Sequence, residues 1–271
     1  MTKKITLSIL ASIAISMILS TTAYPNTVTT PKEVYIAIII DDFGNGTKDV
    51  DDMLALEIPF TGAIIPGQIN SVEHMEKLQQ LGKGIIIHMP MEAKGHKKAW
   101  NTEFSIYTGL NEEQVRERTK LAIGELSAAS GLNNHMGSVA TANKNIMKQV
   151  IETVNEHDLL MIDSVTTSKS KIKEVCEELG LNHFRRDVFL DDKSKSTTSF
   201  VEKRMNQAME VAKEQGYAIA IGHVGPSGGM NTVQGIKNMV PQLQEQGAKF
   251  VTIDELHMLL HGGSLQRPEQ S

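Results

Sequence analysis

Apolar residues in this chain come in short unbroken runs rather than in strict alternation with polar ones. Eight runs stand out, at 34–40, 60–65, 84–88, 132–135, 159–163, 183–188, 217–221 and 250–253. Between them lie stretches with helical spacing, at 48–56, 71–81, 111–129, 144–156, 171–179, 199–214 and 233–246. Strands that lack a polar face suit a sheet buried on both sides, and intervening helices suit the crossovers of a parallel sheet. Several helix ends are marked. Ser71 precedes an acidic first turn as an N-cap, and Asn111-Glu112-Glu113-Gln114 has the outline of a capping box. Gly82, Gly131, Gly180, Gly216 and Gly247 follow helical stretches, where a left-handed residue is wanted. Eight such units predict a closed α/β barrel rather than an open doubly wound sheet. No glycine-rich nucleotide loop follows the first run.

The ends of the chain read differently. Lys3 and Lys4 precede a mostly apolar stretch at 5–19, and small residues continue to Ala23. This predicts a secretory signal peptide over 1–23, the alternative being an uncleaved anchor helix, for which the run is short. Residues 24–33 form a polar leader with Pro25 and Pro31, residues 34–261 one barrel domain, and residues 262–271 a tail. No other stretch is suited to cross a membrane, so a secreted or envelope-associated bacterial protein is expected. Cys176 is the only cysteine, which rules out an intrachain disulfide framework. The net charge is −5 and no basic patch is visible, which argues against nucleic acid as a partner.

The unusual polar residues collect where the apolar runs end. Asp41 and Asp42 close the first run, His88 the third, Asn133-Asn134-His135 the fourth, and Asp163 the fifth. Arg185, Arg186 and Asp187 lie near the end of the sixth, Asp191 and Asp192 follow it, and His223 comes just after the seventh. In α/β barrels catalytic groups sit at that face. Adjacent carboxylates are costly to bury without a metal, a cation or a proton. A carboxylate with two imidazoles is a catalytic zinc set that leaves a position for water. The segment 92–107 carries Lys94, His96, Lys97, Lys98, Trp100 and Tyr107, a mixture that suits a glycan or an ordinary surface loop.

With these motifs the chain resembles the divergent polysaccharide deacetylases, relatives of the NodB-type carbohydrate esterases. The likeness covers roughly 33–261. Asp41-Asp42-Phe43-Gly44 resembles the first family motif, which implies that Asp41 is the catalytic base and Asp42 a metal ligand. His88-Met89-Pro90-Met91-Glu92 stands where typical members have two histidines at i and i+4, so Glu92 replaces the second. Gly222-His223 resembles the last motif, which implies that His223 is the general acid. The arginine-proline-tyrosine motif is absent, and Asn133-Asn134-His135-Met136-Gly137-Ser138 occupies its place.

The resemblance implies a distorted (β/α) barrel of seven to eight parallel strands, of the NodB glycoside hydrolase–deacetylase type. It implies a divalent metal, foremost Zn2+, held by Asp42, His88 and His135, with Glu92 a fourth ligand or a supporting partner. Asn134 and Ser138 are supporting candidates, with a backbone N–H near Gly137 or Ser138 offered to an oxyanion. Asp163 and Asp187 are candidates to orient His223 or bind sugar hydroxyls, and Arg186 to pair with a carboxylate, against a plain buried ion-pair network for all three. The expected activity is removal of acetyl groups from an N-acetylated polysaccharide. The alternatives are an inactive glycan-binding or envelope-assembly protein on the same barrel, and a metallohydrolase of another amide or ester.

Overall fold

Strand β1 (Val34–Phe43) organises the sheet. The computed structural model describes residues 32–95, 102–192 and 196–263. The expected signal peptide, most of the leader, His96, Lys97, Lys98, Trp100 and nearly all of the tail lie outside the described residues. After β1 come α1 (Val50–Leu54), β2 (Thr61–Ile64), α2 (Ser71–Gln80), β3 (Gly84–Met91) and α3 (Glu112–Glu125). Then follow β4 (Gly131–Met136), α4 (Lys144–Glu156), β5 (Leu160–Asp163), α5 (Ile172–Glu178), β6 (His183–Arg185) and β7 (Val188–Phe189). The chain continues through α6 (Thr198–Gln215), β8 (Tyr217–His223), α7 (Met230–Glu245), β9 (Ala248–Val251) and α8 (Ile253–His261).

All strand pairings are parallel, in the order β6-β5-β4-β3-β2-β1-β8-β7. β8 takes one edge of β1 from Tyr35 to Asp41. The other edge is shared, β9 pairing with Val34–Ala37 and β2 with the stretch from Ile39 onward. The two ends of the order, β6 and β7, are separated only by Arg186 and Asp187. The Arg186 N–H donates to Asp163 O on one side, and the Asp187 N–H to Ile219 O on the other. One stretch of chain thus spans both ends of the sheet without β6 and β7 pairing, so the curl is the distorted α/β barrel that the resemblance implies rather than the closed barrel expected from the apolar runs. The sixth apolar run appears as two short strands because it changes partners midway.

Side chains alternate between two apolar layers. Ile36, Ile38 and Ile40 of β1 face the helices, while Ala37 and Ile39 face the lumen with Ala63, Ile86, Ile162, Ile219 and Ile221. Full burial of each isoleucine contributes about 1.5–3 kcal/mol. Ile253 and Leu256 of α8 join the lumen cluster, so this helix plugs the end where the strands begin. The expected strand at 250–253 is therefore shorter at its end. Thr252 caps α8 in a box with Glu255, and that T-x-x-E signal overrides the apolar run. The box at Asn111 forms as predicted. Ser71 instead lies inside α2, where its hydroxyl donates to Ile65 O, and Gly131 opens β4 rather than ending a helix in the left-handed region. Among the described residues no helix is long and apolar enough to cross a membrane.

Candidate active site and metal centre

The same alternation that puts Ile39, Ile86 and Ile221 in the lumen carries Asp41, His88 and His223 to its mouth, two residues further along each strand. Asp42 follows Asp41 directly, and on a regular strand it would face the other way. The β1–β2 register shifts between Ile40 and Phe43, and Asp42 adopts φ 71°. This bulge turns both carboxylates toward one cleft. Met136 and Val165 are also left-handed, at φ 56° and 52°, and sit around the same opening. Such conformations cost of order 1–3 kcal/mol each and concentrate at functional sites.

The cleft encloses about 450 Å³ and is lined by the acidic pair, the three histidines, Asn45, Asn134, Ser164, Thr166 and Ser227, with apolar walls from Ile65, Met136, Phe189 and Pro226. Asp42 Oδ1 lies 3.4 Å from His88 Nε2 and 3.1 Å from His135 Nδ1, and those two nitrogens are 3.0 Å apart. The three donor atoms thus form a nearly equilateral triangle. Tetrahedral Zn2+ with bonds of 2.0–2.1 Å needs ligand separations of about 3.3 Å. Asp42 Oδ1 is buried and makes no contact of hydrogen-bond geometry. The donor set, its spacing and this orphaned oxygen all fit a divalent ion.

Around the triangle the partners are specific. His88 Nδ1 is 2.7 Å from Asn133 Oδ1, and the Asn133 amide donates to Asp41 Oδ1 at 2.8 Å. His223 Nδ1 is 2.6 Å from Asp191 Oδ1, while the His223 backbone N–H and the Thr232 hydroxyl both donate to Asp191 Oδ2. His223 Nε2 points toward Asp41 Oδ2, 3.9 Å away. Gly222 and Gly228 make room for this arrangement. A Cβ at Gly228 would overlap the Asp191 carboxylate and the Thr232 hydroxyl.

The electrostatics follow from burial against pairing. Burial pushes the Asp41 carboxyl up, against the pull of His88, His223 and the Asn133 amide. Burial acts on Asp42 in the same sense, but His135 and His88 outweigh it and hold its carboxyl well below the ordinary value. Burial and the neighbouring His88 lower His135, whereas Asp41 and Asp42 overcome burial to raise His88. For His223, burial opposes the charge, yet Asp191 above all, with Asp41 and Asp42, lifts it to about 9.

The remaining predicted residues are placed as follows. Glu92 Oε2 accepts from the Thr108 N–H and hydroxyl, so this side chain fastens a loop and is not in the metal-ligand triangle. Ser138 accepts from the Lys94 N–H and lies off the cleft lining. Asn134 lines the cleft, accepting from the Ser164 N–H and donating to Met136 O. Asp163 accepts from the Val165 N–H, and Asp187 from the Ile219 N–H across the barrel seam. Neither orients His223; Asp191 does. Arg186 donates to Ser164 O and Val165 O and stacks on Phe189 with its guanidinium 3.6 Å from the ring centroid, where burial lowers its pKa to about 10. Sequence reasoning missed Asp191, Thr232 and the bridging role of Asn133. A carboxylate right after the sixth apolar run was the available signal for Asp191.

Comparisons with known proteins identify the family and the fold. The family described as divergent polysaccharide deacetylase matches residues 38–257. An uncharacterized protein of Haemophilus influenzae is 31% identical over 212 residues, covering 78% of this chain and 74% of its own. The uncharacterized protein YibQ of Escherichia coli is 28% identical over 208 residues, covering 77% of this chain but only 63% of its own length. Among solved structures, uncharacterized ATU2773 from Agrobacterium tumefaciens C58 superposes with a TM-score of 0.75 at 15% identity, over 83% of this chain and 89% of that one. The Bc1960 peptidoglycan N-acetylglucosamine deacetylase gives 0.56 at 14%, over 87% and 92%. BA3943, a CE4 family pseudoenzyme from Bacillus anthracis, gives 0.53 at 11%, over 88% and 68%.

Proposed function

The chain belongs to the divergent polysaccharide deacetylases, and we propose that it is an exported, metal-dependent hydrolase that removes acetyl groups from an N-acetylated polysaccharide. The observation that carries this reading is the meeting of Asp41, His223 and the Asp42–His88–His135 triangle in one cleft. Asp42, His88 and His135 would hold a divalent ion, foremost Zn2+, which would supply Lewis acidity for an amide carbonyl and lower the pKa of a water molecule. Asp41, its Oδ1 occupied by Asn133, offers Oδ2 to the proton of the attacking water. His223, held protonated by Asp191, gives a proton to the departing amine nitrogen. The cleft lining contains two carboxylates and no Lys or Arg among the described residues, which suits an uncharged acetamido group. Apolar surfaces at Ile65, Met136 and Phe189 suit the faces of a sugar ring and the acetyl methyl. Incubation with acetylated glycan oligomers, with acetate release as the readout, tests the reading. No acetate from any of a panel of acetylated sugars and simple esters would sink it.

The pH profile follows from the two proton carriers. His223 is charged below about 9, so the acid is present at neutral pH and is lost as pH rises through that value. Asp41 works deprotonated, and burial places its limb above the ordinary carboxylate range. The groups facing His223 are Asp191, Asp41 and Asp42, and Asp191 contributes most to its charge after burial. Asp191→Asn is therefore expected to move the basic limb of kcat/KM to lower pH and to reduce the plateau. An unshifted limb would remove His223 from the proton-donor role.

Export rests on residues 1–23. N-terminal sequencing of the protein recovered from the cell envelope or medium is expected to begin at Tyr24, and retention of Lys3 and Lys4 would show an anchor instead. A second reading, binding without hydrolysis, is favoured by the missing arginine-proline-tyrosine motif and the pseudoenzyme among structural relatives. Glycan binding by metal-loaded protein without acetate release would select it.

A further inference from the structure

We infer that Asn133 is a positioning residue that couples the proton-accepting carboxylate to the metal-binding imidazole. The inference rests on the metal reading above and adds a residue that the family likeness does not supply. Asn133 is fully buried on β4, in register with His88 of the neighbouring strand β3. Its amide reaches Asp41 on β1, and β2 and β3 stand between β4 and β1 in the sheet, so the bond spans the lumen. Below it lies the apolar lumen cluster, with Ile39, Ile86, Ile162 and Ile221.

An amide carries a donor and an acceptor on one short side chain and stays neutral at every working pH. Its orientation is fixed by chemistry. With Nδ2 toward Asp41, an N–H meets a carboxylate oxygen, whereas the flipped amide would set two oxygens against each other at 2.8 Å. Oδ1 then faces His88 Nδ1, which must carry the ring proton. The consequence is a defined tautomer, with His88 Nε2 bare and aimed at the donor triangle. The other consequence is a fixed carboxylate, with Asp41 Oδ1 occupied and Oδ2 left for the cleft. One side chain thus sets the spacing between base and metal ligand.

Three substitutions separate the two halves of this role. Asn133→Leu keeps the branched shape and removes both bonds. Its Zn2+ affinity, measured by chelator competition, is expected to fall about 10- to 100-fold. Asn133→Asp still accepts from His88 Nδ1, so its Zn2+ affinity is expected within a few-fold of the parent. It also sets a carboxylate against Asp41, so kcat at saturating Zn2+ is expected to fall about 100-fold or more with KM unchanged. Asn133→Ser, too short for either partner, repeats the metal measurement if the leucine variant does not fold. Parent-like metal affinity in the leucine or serine variant, or parent-like kcat in the aspartate variant, would overturn the inference. The metal arm needs no substrate. If the parent binds Zn2+ but releases no acetate, the proposed activity fails while the His88 half of the inference is still decided. If the parent binds no Zn2+, both fail.

Discussion

Asp41→Asn is expected to lower kcat by about 10²- to 10⁴-fold, the usual contribution of a positioned general base. The variant should bind Zn2+ as the parent does, because Asp41 stands outside the donor triangle. Its thermal stability should hold or rise. Burial raises the Asp41 pKa, and a carboxyl whose folded pKa exceeds its unfolded value destabilises the fold at any pH where it must ionise. Replacing it with a neutral amide removes that cost. A loss of activity accompanied by a gain in stability is the signature of a group kept for chemistry. Full activity in this variant would exclude Asp41 from proton transfer. A collapse in stability would reassign it to the fold.

Removal of the metal is expected to abolish acetate release altogether, with recovery on addition of Zn2+. The same ion should stabilise the folded chain. At about 100 times its Kd, a ligand that binds only the folded state adds about 2.7 kcal/mol, so the melting temperature should climb with Zn2+ concentration. His135→Ala should weaken Zn2+ binding by more than about 100-fold, beyond the range for an outer partner. His135 reaches the triangle from β4, beside His88 on β3. A chelator-resistant activity, or a melting curve indifferent to Zn2+, would defeat the metal reading.

Much of this was legible in the chain because the barrel ties position to period. Lumen-facing steps of two residues, read from the apolar runs, were enough to bring Asp41, His88, His135 and His223 to one rim. What stayed hidden depended on where the chain crosses over. Asp163 closes the fifth run, while Asp187 and Asp191 lie in and just beyond the sixth. Only the seam that passes from β5 to β8 decides that Asp191 meets His223 while Asp187 caps the Ile219 amide. Glu92 and Ser138 adjoin genuine site residues in sequence, yet loops at Thr108 and Lys94 claim their side chains. The start of helix α8 was written in Thr252 and Glu255 but masked by the apolar run before them. The bulge at Asp42 left no mark beyond the doubled aspartate.

The shared edge of β1 also constrains the order of assembly. Its neighbours β8 and β9 are the last strands to be made, so the earliest-synthesised strand is the latest to be enclosed. Until residue 251 has emerged, a run of isoleucines with open backbone groups has half its partners missing, and such runs are prone to pair with other chains. If the chain is exported, as proposed above, and travels unfolded, this delay is an advantage. The cleft is complete only once β8 has set His223 beside Asp41.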